Sequence, residues 1–392
     1  MQLTHLSLTN FRAFSRLDVD IPSGIVLLHG DNAQGKTSLL EAVYYLATFT
    51  SFITSQDAQV VNFLIRDEEI PVARIVADFQ KGGQQHRLEL RLIHQLNADG
   101  VRRLRKEILL DGVKKSAAQV IGMFTAVVFI PQMTRLFENG PEERRRYVNL
   151  LLCQVVPGYA AALTKYTQAL TRRNALLKAL AEKGGDAAQL DYWDALLVQQ
   201  GCQLISSRSR ALMELTRVTA PIHANLTGGK EALKLGYLPS LEILPAAEEE
   251  TSIEHIQEVY QQQLAARHRA DIQRGVTSIG PHRDDMQFVV NGLNQADYGS
   301  RGQIRTVLQS LKLGEVNWMI EKTGSTPVLL MDETLAELDI RRRQDLLSQL
   351  SGVEQALLTT TDEDLFVPEF LNRITRWQIN AGRVISASNG NA

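Results

Sequence analysis

Several features that would mark a specialised class of protein are scarce in this sequence. Its 392 residues include two cysteines, Cys153 and Cys202, in segments with helical spacing, so free thiols in a reducing cytoplasm are expected. No Cys or His cluster has the spacing of a zinc site. No run approaches about eighteen consecutive apolar residues, so no membrane span is expected. The stretch from Met1 to His5 lacks the basic and apolar regions of a secretory signal.

A surplus of charge of one sign is also lacking. Lys and Arg number 42 against 44 Asp and Glu, which gives a formal net charge of −2. This balance argues against a protein that coats a polyanion over its whole surface, but it allows a local basic face. The apolar fraction of 44% and charged fraction of 22% are those of a soluble globular protein. The length allows two or three domains with a sizeable core.

The sequence does contain an α/β pattern that is interrupted by a helical stretch. Alternating Leu17, Val19 and Ile21 predict a half-buried strand, and the apolar run at 25–28 predicts a buried parallel strand. After about Pro141 the chain is rich in Ala, Leu, Gln and Arg and poor in strand formers, up to about Arg274. Further strands are predicted at 88–92, 108–110, 126–130, 288–290, 328–331 and 356–358, a hairpin at 377–385, an irregular stretch opening at 227–230, and helices at 38–47, 163–180, 190–215, 253–274, 304–316 and 341–350.

A phosphate-binding loop is the first motif that carries chemistry. Residues 30–37 (GDNAQGKT) match the pattern G-x-x-x-x-G-K-[ST] between a predicted strand and a predicted helix, which is the context that this motif requires. Its glycines let backbone N–H groups face the phosphates of ATP, Lys36 bridges these phosphates, and the Thr37 hydroxyl is a ligand for Mg²⁺. The alternative is a glycine turn that arose by chance. The predicted nucleotide contacts here are Gly30, Asp31, Asn32, Ala33, Gln34, Gly35, Lys36, Thr37 and Ser38.

A pair of carboxylates supplies two groups that the phosphate loop lacks, an acidic metal ligand and a general base. The apolar run at 328–331 carries Asp332 and Glu333 to the carboxyl end of a predicted buried strand, where α/β sheets bind ligands. Asp332 is predicted to hold Mg²⁺, and Glu333 to act as the general base for the water that attacks the γ-phosphate. The alternative is an acidic pair that caps a helix N-terminus.

A third segment, residues 300–303 (SRGQ), also precedes a predicted helix. The Ser300 hydroxyl, the Gly302 amide and the helix N-terminus are suited to a γ-phosphate, with Gln303 beside them. Such a turn is common, so this signal is weak by itself. Together with residues 336–339 (AELD), these segments predict one nucleotide site that two copies of the chain complete around ATP.

These motifs resemble the RecF family of bacterial recombinational repair, within the SMC/ABC-type ATPase class, over nearly the whole length. The blocks RNALLK and GPHRDD are far more specific than any nucleotide motif. The blocks that carry the resemblance are residues 10–14 (NFRAF), 31–42 (DNAQGKTSLLEA), 141–147 (PEERRRY), 166–178 (YTQALTRRNALLK), 280–285 (GPHRDD) and 300–306 (SRGQIRT).

The resemblance implies an α/β fold: an ABC/SMC-head-like ATPase domain with a mixed sheet, plus a mostly helical inserted domain. The ATPase domain would comprise residues 1–140 and 275–392, and the inserted domain residues 141–274. It implies an ATP-dependent homodimer that binds double-stranded and gapped DNA, works with RecO and RecR to place RecA at single-strand gaps, and releases DNA on slow ATP hydrolysis. In such a dimer the Ser300 segment of one copy contacts ATP held by Lys36 of the other, with Asp339 at the same interface. A cytoplasmic protein without a membrane partner is expected.

Departures from the family pattern bear on hydrolysis. Ile304 replaces a Gln, Ala336 replaces a Ser, and Glu333 stands where the family commonly has Asp. Gln132 is a candidate for the Mg²⁺- and water-sensing Gln of ABC enzymes, whereas Thr359 and Thr360 occupy the strand end where those enzymes have a His. The replaced positions 304 and 336 keep open a second function, an adaptor that uses ATP only to hold partners together. A transporter-type ATPase subunit is a third possibility, against which the helical insertion and the lack of a transmembrane partner motif argue.

Other residues have two interpretations. Arg12 either contacts a nucleotide phosphate or pairs with a carboxylate, and His282 is either functional or part of a structural turn. Each run of basic residues either contacts the DNA backbone or forms a solvated face with ion pairs. These runs are Arg102, Arg103, Arg105 and Lys106, then Arg144, Arg145 and Arg146, then Arg341, Arg342 and Arg343.

Overall fold

The computed structural model describes residues 1–65, 70–96, 102–242, 252–337, 343, 346–347 and 353–388. The chain divides into two compact units, of which the first combines Met1–Met133 with Met319–Ala392 and the second is Thr134–Trp318. The predicted domain boundaries at 140 and 274 remain a prediction. Residues 275–318, which we expected in the α/β domain, have most of their contacts within the second unit.

The first unit contains a six-stranded antiparallel sheet in the order β2-β1-β4-β5-β6-β7. In β5 the alternating Leu88, Leu90 and Leu92 are fully buried, as expected for the core-facing side of such a sheet. The strands are β1 (Gln2–Phe11), β2 (Phe14–Asp20), β4 (Val72–Lys81), β5 (Gln84–Leu96), β6 (Arg102–Leu110) and β7 (Val113–Lys115).

The second sheet of this unit is mixed, in the order β15-β14-β3-β13-β12-β8. Its first five strands in sequence are mutually parallel, and only β15 runs antiparallel to its neighbour. Every residue of β12 and β13 is buried, which explains their continuous apolar runs. The strands are β3 (Gly24–His29), β8 (Ala126–Phe129), β12 (Val328–Asp332), β13 (Gln355–Thr360), β14 (Thr375–Asn380) and β15 (Arg383–Ser388). The predicted mixed sheet is confirmed.

Helix α1 (Lys36–Thr48) contacts strands of both sheets and buries most of its side chains in the core of the first unit. Because the loop that precedes α1 begins where β3 ends, the core fixes both ends of this loop. The unit also contains α2 (Ala117–Val120) and a one-turn helix at Pro368–Leu371.

The second unit is mostly helical. Its helices are α3 (Arg135–Glu138), α4 (Pro141–Val155), α5 (Tyr159–Lys183), α6 (Asp191–Leu226), α7 (Ile253–Ala266), α8 (His268–Arg274), α9 (Gln295–Tyr298) and α10 (Arg301–Thr323), of which α10 continues into the first unit. A three-stranded antiparallel sheet in the order β11-β10-β9 accompanies them, formed by β9 (Leu233–Leu238), β10 (Asp285–Val290) and β11 (Leu293–Asn294).

The structure corrects the sequence-based prediction in the second unit. Strand β9 lies in the segment predicted to be irregular, and its Gly236 hid the strand signal. A Cβ at Gly236 would approach the Gln287 side chain to 2.7 Å, so the glycine makes room for the neighbouring strand. The single helix predicted at 253–274 is two helices, and the helix predicted at 190–215 extends to Leu226.

The helix predicted at 341–350 falls largely outside the described residues. Among the described residues, none of the helices combines the length and apolar character that a membrane span needs.

Candidate nucleotide site

The predicted phosphate loop connects β3 to α1, and its backbone has the shape that the motif requires. Gly30, Ala33 and Gly35 have φ values of 139°, 62° and 110°, a conformation that favours glycine. A Cβ at Gly30 would lie 2.4 Å from the Ile379 carbonyl oxygen, so no other residue fits there without moving the backbone of β14. Asp31, Asn32 and Ala33 are exposed. The loop therefore presents its backbone to solvent between two rigid elements.

The turn between β14 and β15 holds this loop from outside. The Gly382 amide donates to the Gln34 carbonyl oxygen at 2.9 Å, and the Ala381 amide donates to Gln34 Oε1 at 2.7 Å. The Gln34 side chain thus has a structural partner, which the sequence did not indicate. Its contact with a nucleotide remains a prediction.

The Lys36 side chain forms hydrogen bonds with the loop that precedes it. Its Nζ donates to the carbonyl oxygens of Gly30 at 2.7 Å and Asp31 at 2.9 Å, and lies 3.8 Å from Glu333 Oε1. Burial lowers the pKa of the Lys36 ammonium, and the nearby carboxylate of Glu333 partly offsets this effect. The ammonium therefore lies under the phosphate loop with weak neutral acceptors, which a phosphate would replace favourably.

The end of β12 meets the start of α1. Thr37 Oγ1 donates to Asp332 Oδ1 at 2.8 Å and lies 3.1 Å from Oδ2. Thr359 Oγ1, at the same level of β13, also donates to Asp332 Oδ1 at 2.8 Å. Thr37 and Asp332, two of the three residues predicted to hold Mg²⁺, the third being Gln132, are therefore in contact although they lie 295 positions apart in the chain.

This donor set fits a magnesium ion that is bound together with a nucleotide. Mg²⁺ is commonly bound by one or two carboxylates and by substrate phosphates rather than by a complete protein cage. Thr37 and Asp332 supply a hydroxyl and a carboxylate beside the phosphate loop. No group of three or more His, Cys, Asp or Glu residues suited to a metal occurs in the part of the chain that the structure describes.

Glu333 follows Asp332 in a left-handed conformation with φ 48°, and its side chain is 40% exposed. Its amide donates to Thr359 Oγ1 at 3.0 Å. A carboxylate that is partly open to solvent beside Lys36 has the access to water that a general base needs. The alternative for Asp332 and Glu333 is an acidic pair that caps a helix N-terminus. In the structure the Asp332 carboxylate instead accepts hydrogen bonds from the hydroxyls of Thr37 and Thr359.

Gln132 and Arg12 have different surroundings in the first unit. Gln132 is exposed in the turn after β8, a strand that pairs with β12. Arg12 donates from Nε and Nη2 to the buried Glu41 of α1 at 2.7 and 2.6 Å, and from Nη1 to the Gln59 carbonyl oxygen at 2.9 Å. Of the two interpretations of Arg12, the structure shows the ion pair, and a phosphate contact remains a prediction.

The Ser300 segment lies in the second unit and begins α10. The Ser300 amide donates to Gln303 Oε1 at 3.1 Å, and the Gln303 amide donates to Ser300 Oγ at 3.3 Å, which is a capping box. Gln303 Nε2 donates to Glu231 Oε1 at 3.1 Å. A Cβ at Gly302 would meet no atom within 4 Å. The segment thus has a structural role at the helix start, while Gly302 is open to an incoming group.

The remaining predicted residues are Ser38, Ala336, Asp339 and the basic run at 341–343. Ser38 is half-buried in the first turn of α1, and Ala336 is exposed after β12. Asp339, predicted at the dimer interface, lies outside the described residues, as do Arg341 and Arg342. Arg343 donates from Nε to the Leu335 carbonyl oxygen at 3.1 Å.

The family-specific blocks outside the nucleotide motifs build the interior of the second unit. Arg173 is fully buried and donates to the carboxylates of Asp194 and Asp271. His282 Nδ1 lies 2.7 Å from the Tyr166 hydroxyl, and its Nε2 lies 3.0 Å from the Thr277 carbonyl oxygen, so the structural interpretation of His282 is supported. Burial lowers the pKa of His282 to about 4.

Several residues of the basic runs form ion pairs. Arg144 is buried and pairs with Asp285 at 2.7 Å, which removes it from any surface contact. Arg105 lies 3.0 Å from Glu107, and Lys106 lies 2.6 Å from Asp57. These residues favour the interpretation of solvated faces with ion pairs over that of free phosphate contacts.

Comparison with known proteins assigns this arrangement to a family. The family model described as RecF/RecN/SMC N-terminal domain matches residues 2–376. A protein named DNA replication and repair protein RecF from Chloroflexus aurantiacus is 36% identical over 395 residues, covering 98% of this chain and 100% of the relative. This chain belongs to the RecF family.

Other RecF proteins are also similar to this chain over nearly its whole length. The RecF protein of Bacillus cytotoxicus is 33% identical, with 98% of each chain covered. A solved structure of the recombination mediator protein RecF with ATP, in the RecFOR pathway, superposes with a TM-score of 0.85 at 29% identity, covering 99% of this chain and 97% of the other. The expected ABC/SMC-type ATPase fold with an added helical part is thereby confirmed.

Proposed function

We propose that this RecF family member is an ATP-dependent DNA-binding protein of recombinational repair. ATP with Mg²⁺ binds at the phosphate loop, two copies of the chain close around it, and the pair holds double-stranded DNA. Slow hydrolysis to ADP and phosphate then releases the DNA. Family membership and the ATP-bound RecF structure support the general function, and the residues described above support the nucleotide part.

The contact of Thr37 with Asp332 carries the nucleotide part of this proposal. A phosphate loop alone is suited to many nucleotides and to no particular reaction. The hydroxyl of Thr37 and the carboxylate of Asp332 add a site for the metal that accompanies a nucleoside triphosphate. Bound Mg²⁺ neutralises charge on the phosphate oxygens.

Within this site the chain's own residues have separate roles. Lys36 exchanges the carbonyl oxygens of Gly30 and Asp31 for phosphate oxygens and holds them. Glu333 accepts the proton of the attacking water, and its carboxylate lies 3.8 Å from the Lys36 ammonium. Gln132, exposed at the end of β8, orients the water or the metal from the neighbouring strand.

The second copy supplies the remaining contacts. In one copy Ser300, Gly302 and Gln303 lie at the N-terminus of α10, where the helix dipole favours a negative charge. These residues contact the γ-phosphate of ATP held by the other copy, with Asp339 at the same interface. Such an arrangement makes the pair depend on the triphosphate, because ADP lacks the group that both copies contact.

DNA and proteins of the RecO and RecR kind are the proposed partners, in the cytoplasm. The solved relatives are described as recombination mediators of the RecFOR pathway, and the curated relatives as DNA replication and repair proteins. The near-neutral net charge of −2 favours a local contact with the DNA backbone over a general polyanion surface.

Equilibrium binding to a fluorescent duplex tests this proposal. Wild-type protein should bind duplex DNA more tightly with ATP and Mg²⁺ than with ADP or with no nucleotide, and binding should weaken as salt concentration rises. A gapped duplex in the presence of a RecR-like partner tests the loading role. Equal affinity for DNA with ATP, with ADP and without nucleotide would contradict the proposed coupling.

One observation favours a second function, an adaptor that binds ATP with little hydrolysis. The Ser300 hydroxyl accepts from the Gln303 amide and so already has a structural role at the helix start, and Ile304 and Ala336 stand where the family pattern has Gln and Ser. Steady-state phosphate release with DNA present separates the two functions, because an adaptor would bind ATP and form pairs without sustained turnover.

A further inference from the structure

A single hydroxyl at the end of β13 contacts both carboxylate residues of the proposed site. Thr359 Oγ1 donates to Asp332 Oδ1 at 2.8 Å and accepts from the Glu333 amide at 3.0 Å. The hydroxyl therefore has its one proton and an acceptor lone pair engaged at the same time. Asp332 and Glu333 are thus linked through the side chain of a third residue on another strand.

Strand pairing fixes the position of this hydroxyl. Strands β12 and β13 are parallel neighbours, and Asp332 is directly paired with Thr359 in their register. Thr359 is only 3% exposed, and as a β-branched residue it has few side-chain conformations. The hydroxyl is consequently held in place by the sheet rather than by solvent.

The backbone of Glu333 explains why such a link is useful. Glu333 has φ 48°, a left-handed conformation that costs energy for a residue with a side chain. The hydrogen bond from its amide to Thr359 stabilises this conformation, which turns the chain out of β12 and places the Glu333 carboxylate 3.8 Å from Lys36. Loss of the hydroxyl would leave a partly buried amide without an acceptor and one Asp332 oxygen with one donor fewer.

We propose that Thr359 is a positioning residue, which orients the carboxylate of Asp332 toward Mg²⁺ and holds the backbone of Glu333 in place as the base. This inference rests on the proposed function and adds a residue to it. In metal sites, a group that orients a ligand contributes about 10- to 100-fold in metal affinity or activity. Thr359 should have an effect of this size without contacting the nucleotide.

Substitutions that separate the hydroxyl from side-chain size test the role. Thr359→Val keeps the shape and removes the hydroxyl, Thr359→Ala removes both, and Thr359→Ser keeps only the hydroxyl. The neighbouring Thr360 provides a matched control, since it is also 3% exposed. Its hydroxyl donates to the Asp362 carbonyl oxygen at 2.8 Å and accepts from the Asp362 amide, so Thr360→Val removes a buried hydroxyl that does not touch Asp332.

The first measurement is the binding of a fluorescent ATP analogue, in EDTA and over a Mg²⁺ titration. Thr359→Val and Thr359→Ala should bind the analogue in EDTA as the wild type does. The Mg²⁺ concentration at which half of the Mg²⁺-dependent gain in affinity is reached should be about 10-fold higher than in the wild type, or more. Their phosphate release should fall about 10- to 100-fold. Thr359→Ser and Thr360→Val should behave as the wild type.

Three results would overturn the inference. Mg²⁺ dependence that is unchanged in the Val and Ala variants, a Ser variant as impaired as the Val variant, or an equal effect of Thr360→Val would each show that Thr359 has only a structural role. If the Val variant does not fold, the Ala and Ser pair makes the same comparison.

The same measurements distinguish failure of the proposed function from failure of the inference about Thr359. Binding of the analogue by the wild type without turnover would remove only the proposed hydrolysis, and the Mg²⁺ titration would still test Thr359. A wild-type chain that does not bind the analogue would overturn both.

Discussion

Helices α1 and α10 both begin at segments predicted to contact phosphate, yet their first turns differ. At α1 the residue before the helix is Gly35, and no side chain caps the first turn. At α10 the side chains of Ser300 and Gln303 cap each other's backbone amides. Since the first N–H groups of a helix need acceptors, α1 leaves its N–H groups for a ligand, whereas α10 satisfies part of its own.

A similar contrast separates two polar clusters, the candidate nucleotide site of the first unit and the Arg173 cluster of the second. In the first unit Lys36 is held by neutral carbonyl oxygens and Asp332 by two hydroxyls, which are weak partners that a nucleotide and a metal would replace or join. In the second unit Arg173 pairs directly with the carboxylates of Asp194 and Asp271. The first arrangement is suited to binding, and the second stabilises the fold.

The largest effect is expected from the proposed base. Glu333→Gln should reduce phosphate release about 100- to 10,000-fold, because a general base contributes a factor of this size. ATP binding should persist and the ATP-bound pair should last longer. Phosphate release and the dissociation rate of the pair are the measurements, with the exposed Glu369→Gln as control. Rapid turnover in Glu333→Gln would remove Glu333 as the base.

Replacement of Lys36 tests whether the binding arrangement needs its cation. Lys36→Met should weaken ATP binding about 100-fold or more, since each hydrogen bond to a charged group contributes about 1.5–3 kcal/mol. Lys81 is a matched control, because its Nζ also donates to a carbonyl oxygen, that of Gly122 at 2.6 Å, and burial also lowers its pKa. Lys81→Met should leave ATP affinity, measured by calorimetry, unchanged. Equal affinity losses in the two variants would contradict the assignment.

His282 tests whether the second unit's polar interior serves stability. Burial and, to a lesser extent, Arg283 lower its pKa from 6.5 to about 4. The neutral form is therefore favoured in the folded state, so this contribution to stability is complete above pH 6.5 and is lost as pH falls toward 4. The loss near pH 4 should be on the order of 3 kcal/mol.

Urea unfolding of the wild type and His282→Gln across this pH range measures the contribution. Burial raises the pKa of the neighbouring Asp284, which titrates with the opposite sign, so the difference between the two proteins isolates His282. His282→Gln should lose less stability than the wild type on acidification. Parallel pH profiles for the two proteins would contradict the buried neutral histidine.

The smallest effect is expected at the cap of α10. Ser300→Ala should cost about 1 kcal/mol of stability through loss of the cap. Ser252 caps α7 in the same unit, with its side chain accepting from the His255 amide, so Ser252→Ala should cost a similar amount. Only Ser300→Ala should also weaken ATP-dependent pairing. Equal pairing in both variants would reduce Ser300 to a helix cap.

The sequence identified the segments that meet at the proposed nucleotide site of the first unit, because these segments lie at the ends of strongly patterned elements. The apolar runs of β3 and β12 are buried on both faces, and the residues that follow them are Gly30 and Glu333. The contact between Thr37 and Asp332 follows from two parallel strands that end at the same edge of one sheet.

What the sequence did not show depends on contacts between distant segments. Nothing near Gln34 indicates that its side chain accepts from the Ala381 amide, and nothing near Thr359 indicates its contact with Asp332 before the register of β12 and β13 is known. The capping box is different, since Ser300 followed three positions later by Gln303 is a local pattern that the sequence already contained.

Sedimentation velocity of the purified chain with and without ATP and Mg²⁺ tests the central claim most directly. The account predicts that the wild type sediments as a monomer without nucleotide or with ADP, and as a dimer with ATP, with the dimer stabilised by duplex DNA. Lys36→Arg should remain a monomer throughout, because a guanidinium does not replace the point charge of the ammonium. A wild-type chain that stays monomeric with ATP at all protein concentrations, with or without duplex DNA, would contradict the account.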